Sequence, residues 1–151
     1  MGNDNRKNRV PIVGEWRLVS FMIRKESGEE VYPFGEDARG SIIYTESGRY
    51  FVQLTRADRP RFASGDQMKG TDEEIRAGYE GCISYYGPYE FDHEGGFVIH
   101  HVESSLFPNW EGHGQKRYVT LSGNRLTLTS PPLLWGGGKE VIATVTWERI
   151  A

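Results

Sequence analysis

Histidine, carboxylate and serine side chains crowd one short segment of this chain, His100–Trp110. The segment begins with two adjacent histidines and continues to Glu103 and Ser105. On an extended strand alternate residues share a face, so His101 would lie beside Glu103 while His100 points the opposite way. A histidine beside a carboxylate can move a proton near neutral pH, which makes His101 and Glu103 a candidate catalytic acid–base pair.

The same two side chains also have a purely structural interpretation. Buried polar groups must be hydrogen-bonded, so a histidine and a carboxylate inside a protein can satisfy each other or the loop backbone. The alternation shows that only one of His100 and His101 can face the interior, without deciding which. Both interpretations of the pair therefore remain open.

Arg117 is a candidate anchor for a negatively charged group. It falls in a later alternating run, on the same face as Val119 and Leu121. An arginine that points into an apolar interior can hold a carboxylate or enolate oxygen through its fork of N–H donors. The alternative is a salt bridge to Glu103 or another acid, and the two roles are compatible because a paired arginine keeps spare donors.

Aromatic residues supply candidate ligand contacts. Tyrosine hydroxyls on strands can donate hydrogen bonds into a cavity, although ordinary strand packing is the competing interpretation. The loop with Phe107 and Trp110 either covers a ligand or seals a rim against segment 56–70, which is long enough to form a rim loop or lid. The candidate ligand-binding residues are His100, Tyr44, Tyr85, Tyr89, Phe107 and Trp110.

Short alternating runs separated by turn residues position these side chains, a pattern typical of an all-β sandwich or barrel. On the first run, alternation predicts that Trp16, Leu18, Ser20 and Met22 share one face. A capping-box pattern at Thr71 predicts one short helix from about Asp72 to Cys82. The runs predict about eight strands: Gly14–Ile23, Gly40–Thr45, Arg49–Thr55, Ser84–Asp92, Gly96–Ser104, Gly114–Ser122, Arg125–Ser130 and Val141–Ile150.

Eight strands in simple succession usually close into a barrel, which removes the sheet edges and encloses room for side chains or one small ligand. We therefore predict a single antiparallel up-and-down β-barrel over residues 11–151. Residues 1–10 are polar and are predicted to be disordered. At 151 residues the chain fits one domain.

Composition argues against several classes of function. The net charge is −3 with both signs interspersed, so the basic stripe of a nucleic-acid-binding protein is missing. No run approaches the roughly 18 apolar residues of a membrane-spanning helix, and the N-terminus lacks the apolar region of a signal peptide. Cys82 is the only cysteine, which excludes an internal disulfide and favours a cytoplasmic location. The histidine spacing does not predict a metal site, and we expect no cofactor.

Several motifs occur in a fixed order: Gly14–Ser20, Tyr32–Gly35, Gly40–Thr45, Tyr86–Tyr89, His100–Trp110 and Arg117–Tyr118. Together they resemble a bacterial and fungal lipocalin-like domain family of the calycin superfamily, over nearly everything from Gly14 to Arg149. The resemblance implies a calycin-type barrel in which Gly14 and Trp16 close one end and Arg149 packs across the indole ring. It does not imply one activity, because some such barrels carry ligands while others catalyse cyclisations or isomerisations.

Three functions follow from these observations. The first is a barrel that binds a small hydrophobic or amphiphilic molecule, with its polar end held by His101 or His100, Glu103 and Arg117. The second is a cofactor-independent isomerase, cyclase or lyase in which the His101–Glu103 pair moves a proton and Arg117 stabilises developing negative charge. The third is a packed structural barrel without a ligand. The expected partner is a small molecule rather than nucleic acid or membrane, and a homodimer is compatible with the sequence.

Overall fold

The structure, a computed structural model, describes residues 10–151 of the chain. The disorder predicted for residues 1–10 lies, apart from Val10, outside the described residues. Residues 10–151 form one α-helix, α1 (Asp72–Glu80), a 3₁₀-helix (Pro108–Trp110) and eleven strands. The strands are β1 (Gly14–Arg24), β2 (Glu30–Val31), β3 (Arg39–Tyr44), β4 (Arg49–Thr55), β5 (Cys82–Asp92), β6 (Phe97–His101), β7 (Ser104–Ser105), β8 (Gly114–Ser122), β9 (Arg125–Thr129), β10 (Leu133–Leu134) and β11 (Glu140–Arg149).

Eight of these strands close into an antiparallel barrel. Their order around it is β11, β9, β8, β6, β5, β4, β3 and β1, and β1 pairs again with β11. The closing pair runs from Trp16 opposite Arg149 to Arg24 opposite Ile142. Every barrel strand therefore has two neighbours, and the sheet has no long unpaired edge in the part of the chain that the structure describes. This confirms the predicted all-β barrel with one short helix.

The first strand contains an irregularity that simple alternation does not predict. The pairing of β1 with β11 shifts register just after Leu18, which is the signature of a β-bulge. Beyond the shift the buried side chains are Phe21 and Ile23. The prediction that Ser20 and Met22 share the inner face is therefore wrong, because the extra residue reverses the alternation in the second half of the strand.

One end of the barrel is closed by Trp16. Its ring is fully buried, and its indole N–H donates to the Ile12 carbonyl at 2.9 Å. The guanidinium carbon of Arg149 lies 4.2 Å from the centre of that ring, the contact that the family resemblance implies. Gly14 is needed beside it, since its φ is +139° and a Cβ there would collide with the Arg149 guanidinium.

The helix α1 lies outside the barrel, between β4 and β5. The Thr71 hydroxyl accepts a hydrogen bond from the Glu74 N–H at 3.2 Å, and the Glu74 carboxylate accepts one from the Thr71 N–H at 2.8 Å. This is the predicted capping box. The helix ends at Glu80 rather than near Cys82 as predicted, because Gly81 caps it and Cys82 already belongs to β5. None of the helical residues is buried. Among residues 10–151, no helix combines the length and apolar character needed to cross a membrane.

Candidate functional site

An apolar cavity of about 60 Å³ lies inside the barrel. Aliphatic side chains from β1, β3, β4, β5, β9 and β11 form most of its wall. Trp110, the last residue of the 3₁₀-helix, and Trp135, in the segment after β10, lie at the end of the barrel opposite Trp16 and also line it. The wall residues with strong polar groups are Tyr85, His100 and Arg117, so the cavity combines an apolar surface with a few placed polar groups.

His100 on β6 is the histidine that faces the interior, with only 1% of its surface exposed. Its Nε2 atom lies 2.6 Å from the Tyr44 hydroxyl, and its Nδ1 atom lies 3.4 Å from the Tyr85 hydroxyl. The ring also stacks on Tyr50, with the ring centres 4.3 Å apart. Tyrosine hydroxyls therefore contact both ring nitrogens. In a neutral imidazole one of these nitrogens carries an N–H donor and the other is an acceptor.

The cluster around His100 is uncharged at neutral pH. Burial lowers the pKa of His100 well below its usual value, and the positive charge of Arg117 lowers it further. Burial also raises the pKa values of Tyr44, Tyr50 and Tyr85 above that of a free tyrosine. An imidazole with so low a pKa is a poor proton acceptor near neutral pH, so its contribution is to hold hydrogen-bond geometry.

Arg117 lies on β8 opposite Val98 of β6, half-buried at the cavity wall. Its guanidinium donates to the Lys116 carbonyl at 2.8 Å and to the Gln115 amide oxygen at 3.2 Å. Five N–H groups are available on a guanidinium, so several remain for another partner. Within residues 10–151 no carboxylate lies at ion-pair distance from Arg117, and the alternative salt bridge to Glu103 is not formed.

His101 and Glu103 lie on the outside of the barrel. The His101 Nε2 atom is 3.1 Å from a Glu90 carboxylate oxygen, and Glu103 accepts two hydrogen bonds from Arg49 at 3.0 and 3.2 Å. Half of the Glu103 side chain is exposed, so its charge is solvated as well as paired. The predicted interior pair of His101 and Glu103 is therefore not formed. On the surface, solvent and polar partners stabilise these groups, whereas burying them in an apolar interior would cost free energy.

The aromatic candidates divide between the cavity wall and its support. Tyr85 and Trp110 line the cavity, with their ring centres 5.3 Å apart in an edge-to-face contact. Tyr44 lies behind the wall, and the Tyr89 ring packs edge-on against it at 5.0 Å. Phe107 is 41% exposed and packs against the outer side of Trp110 at 5.6 Å. Tyr44, Tyr89 and Phe107 thus position wall residues rather than form the wall.

Two tryptophans that were not among the predicted site residues also line the cavity. Trp135 follows β10 and packs edge-on against Phe21, with ring centres 5.6 Å apart. Trp147 on β11 is 1% exposed, and its indole N–H has no hydrogen-bond partner among the described residues. A buried donor without an acceptor costs about 1–3 kcal/mol. Alternation along the last strand, counted back from Arg149, would have placed Trp147 on the inner face.

The cavity wall offers hydrogen-bond donors to whatever fills it. Arg117, Tyr85 and His100 are set in a surface that is otherwise mostly apolar, and the described wall includes no carboxylate. Such a wall suits a mostly apolar molecule with an oxygen acceptor. No group of three potential metal-ligating side chains forms within residues 10–151.

Comparison with known proteins agrees with the architecture. The sequence model of the lipocalin-like domain family matches residues 13–150. The chain is also 30% identical over 105 residues to the 4'-hydroxy-3'-methoxypropiophenone carrier protein ppsC of Aspergillus oryzae, an alignment that covers 66% of this chain and 95% of that protein. The family match spans the barrel from just before β1 to just after β11. This chain therefore belongs to the lipocalin-like domain family.

Proposed function

We propose that this barrel is a binding or carrier protein for a small, mostly apolar aromatic molecule, which it holds in its interior. The observation that carries the proposal is an apolar cavity inside the barrel whose wall includes a few placed polar groups, Tyr85, His100 and Arg117. Small-molecule sites combine such an apolar wall with a few placed polar groups that orient the ligand. The similar fungal protein is named as the carrier of an aromatic ketone, which supports an aromatic occupant here.

The entrance must adjust for such a molecule to enter. A volume of about 60 Å³ holds only a few waters, at about 10–15 Å³ for each, and is too small for a substituted benzene. Trp110 and Trp135 lie in the connections between barrel strands at the end opposite Trp16, where side-chain rotation does not break the hydrogen bonds between barrel strands. Rotamer changes of this kind are common when proteins bind ligands. We expect these two indole rings to swing outward and then to cover the ligand.

The contacts around the cavity favour binding over proton transfer. His100 is neutral, and tyrosine hydroxyls engage both of its nitrogens. The candidate base pair, His101 and Glu103, lies outside the barrel. The described cavity wall therefore supplies no general base with a pKa near neutral pH, which the isomerase, cyclase or lyase alternative requires.

Native mass spectrometry tests the proposal. The full-length protein is measured as purified, and again after incubation with 4'-hydroxy-3'-methoxypropiophenone, with calorimetry to obtain the affinity. We expect a one-to-one complex, either with a retained molecule or with the added ketone. Failure of the protein to retain or bind any aromatic compound of this class would contradict the proposal.

A matched pair of variants locates the binding site. Val145→Phe adds a ring to the cavity wall, whereas Ile142→Phe adds the same ring on the same strand at a side chain that is 40% exposed. We expect Val145→Phe to weaken ketone binding at least tenfold, by about 1.4 kcal/mol, and Ile142→Phe to leave it unchanged. Equal affinities for the two variants would place the ligand outside the cavity.

A further inference from the structure

The cavity wall carries a positive charge that the described residues leave without a negative partner. The hydrogen-bond acceptors of Arg117 are neutral, a backbone carbonyl and a glutamine amide. A half-buried guanidinium without a counter-ion attracts an anion more than an exposed one does, because the apolar wall beside it lowers the effective dielectric constant. The Arg117 charge acts on four titratable groups of other strands, and all four are uncharged at neutral pH. They are Tyr44 on β3, Tyr50 on β4, Tyr85 on β5 and His100 on β6.

The tyrosine protons around His100 can be assigned by counting donors and acceptors. The Tyr50 hydroxyl donates to the His101 carbonyl at 2.8 Å. The buried Tyr44 hydroxyl has no acceptor among the described residues other than the His100 Nε2 atom, so its proton goes there. Nε2 is then the acceptor nitrogen, and the ring proton lies on Nδ1 and points at the Tyr85 oxygen. The Tyr85 hydroxyl accepts this bond and keeps its own proton to donate.

The three groups form one chain of hydrogen bonds with a single direction, from Tyr44 through His100 to Tyr85. Each bond in such a chain polarises the next, which strengthens the donor at its end. Tyr85 lines the same cavity as Arg117, and the Arg117 charge acts on the Tyr85 hydroxyl. A strong neutral donor and a cation around one space are the groups with which proteins hold oxyanions.

We propose that the barrel binds its ligand in the ionised form, as a phenolate or carboxylate whose oxygen is held by the Arg117 guanidinium and the Tyr85 hydroxyl. This inference rests on the proposed function and adds the charge state of the ligand to it.

Two probes of nearly equal size test this inference on the full-length protein. The first is 4-nitrophenol, which ionises near neutral pH and absorbs visible light only as the phenolate, and the second is 4-nitroanisole, which cannot ionise. The absorbance of 4-nitrophenol is followed against pH with and without saturating protein. We expect the ionisation midpoint of the bound probe to fall by at least about 1 pH unit, which corresponds to about tenfold tighter binding of the phenolate than of the phenol.

Substitutions then assign the effect to residues. Arg117→Met is expected to abolish the fall in midpoint, and Tyr85→Phe to reduce it. Arg125→Met is the matched control, because it removes the same charge from an exposed position on β9 and should leave the fall intact. The Tyr85→Phe variant and the wild-type titration keep the inference testable if Arg117→Met does not fold.

The outcomes separate the inference from the proposed function. If both probes bind and the midpoint does not fall, the cavity does not select an anion, and the inference is overturned while the proposed function stands. If neither probe binds although the ketone does, the inference is overturned and the proposed function stands. If neither the probes nor the ketone bind, the proposed function fails and takes the inference with it. A fall that persists in Arg117→Met would overturn the role of that guanidinium.

Discussion

At the scale of single residues, the depressed pKa of His100 links the stability of the barrel to pH. The unfolded chain takes up a proton on this imidazole below about pH 6.5, whereas the folded protein does so only at much lower pH. The unfolded state binds more protons in that window, so the free energy of unfolding falls as the pH drops below about 6.5, by roughly 1.4 kcal/mol per unit. The loss stops once the pH reaches the depressed pKa of the folded state.

Urea unfolding between about pH 4.5 and 7.5 measures this dependence. We expect His100→Gln to lose the contribution of this imidazole, so that its stability falls less steeply with acid than that of the wild type. His93→Gln serves as the control, because His93 is exposed in a turn, and it should retain the wild-type slope. Identical slopes for the wild type and His100→Gln would contradict the assignment.

The short contact between Tyr44 and His100 predicts a stability effect of its own. Tyr44→Phe removes the donor to the His100 Nε2 atom and leaves a buried nitrogen unpaired, which should lower the free energy of unfolding by about 1–3 kcal/mol. Tyr118→Phe removes a hydroxyl from a side chain that is 45% exposed, and should change stability by less than about 0.5 kcal/mol. Equal midpoints of urea unfolding for the two variants would show that the Tyr44 bond contributes nothing.

The choice between His100 and His101 shows what sequence alone cannot decide about the site. Either face of this strand could point inward by its sequence, because each contains an apolar residue. Val98 shares a face with His100, and Ile99 shares the other face with His101. The structure resolves the choice through contacts distant in sequence, such as the Tyr44 bond to His100, 56 residues apart, and the Arg49 pair of Glu103, 54 residues apart. Alternation placed Arg117 on one face with Leu121 without deciding whether that face points inward, and in the structure Arg117 lines the cavity while Leu121 is exposed.

At the scale of elements, local signals were enough to predict the helix and the main strands. The capping box at Thr71 and the turn residues between runs act over a few neighbours, so they are visible in the sequence. The bulge after Leu18 was missed because it is a property of the pairing between β1 and β11, which are far apart in the chain. The paired residues are decided only when the barrel closes.

We expect substitution by alanine to change stability in opposite directions at two glycines, Gly87 and Gly78. Gly87 lies on β5 where a Cβ would collide with the His101 carbonyl of the adjacent strand, so Gly87→Ala should lower the melting temperature or prevent folding. Gly78 lies inside α1 with open space around it, so Gly78→Ala should raise stability by about 0.5–1 kcal/mol through helix propensity. Thermal unfolding of both variants checks the signs, and a stabilised Gly87→Ala would contradict the close strand approach.

At the scale of the whole molecule, the barrel separates the residues that close it from those that line the cavity. Arg149 covers Trp16 and donates to the carbonyls of Val13 and Pro11, both at 2.8 Å, at the end opposite the loop tryptophans. Arg149→Met should therefore lower the free energy of unfolding by about 1–3 kcal/mol while leaving the affinity for 4'-hydroxy-3'-methoxypropiophenone unchanged. Urea unfolding and calorimetry measure the two quantities.

Arg17→Met is the control for this variant, since that arginine is 63% exposed and its contact with Glu148 lies on the surface. It should affect neither stability nor affinity by more than the spread of surface substitutions. A loss of affinity in Arg149→Met, measured below its unfolding transition, would mean that the closed end and the cavity are coupled.

The overall fold could be predicted from the sequence, but the packing of side chains inside the barrel could not. Eight alternating runs and the order of the motifs were sufficient for the barrel, because closing the sheet is the general way to remove its edges. The free volume of the cavity depends instead on how the inward side chains pack, including Phe21 and Ile23, which the bulge turned inward. Neither the bulge nor the packing of these side chains has a local signal in the sequence.

The distribution of the four tryptophans gives this protein an optical readout of its own occupancy. Trp110, Trp135 and Trp147 surround the cavity, while Trp16 is sealed at the far end under Arg149. Indole emission shifts to longer wavelength when the ring gains polar neighbours and is quenched by a nearby conjugated ring. Filling of the cavity should therefore change the fluorescence of the three wall indoles against a constant signal from Trp16, so that entry and release of a molecule can be timed in the unlabelled protein by stopped flow.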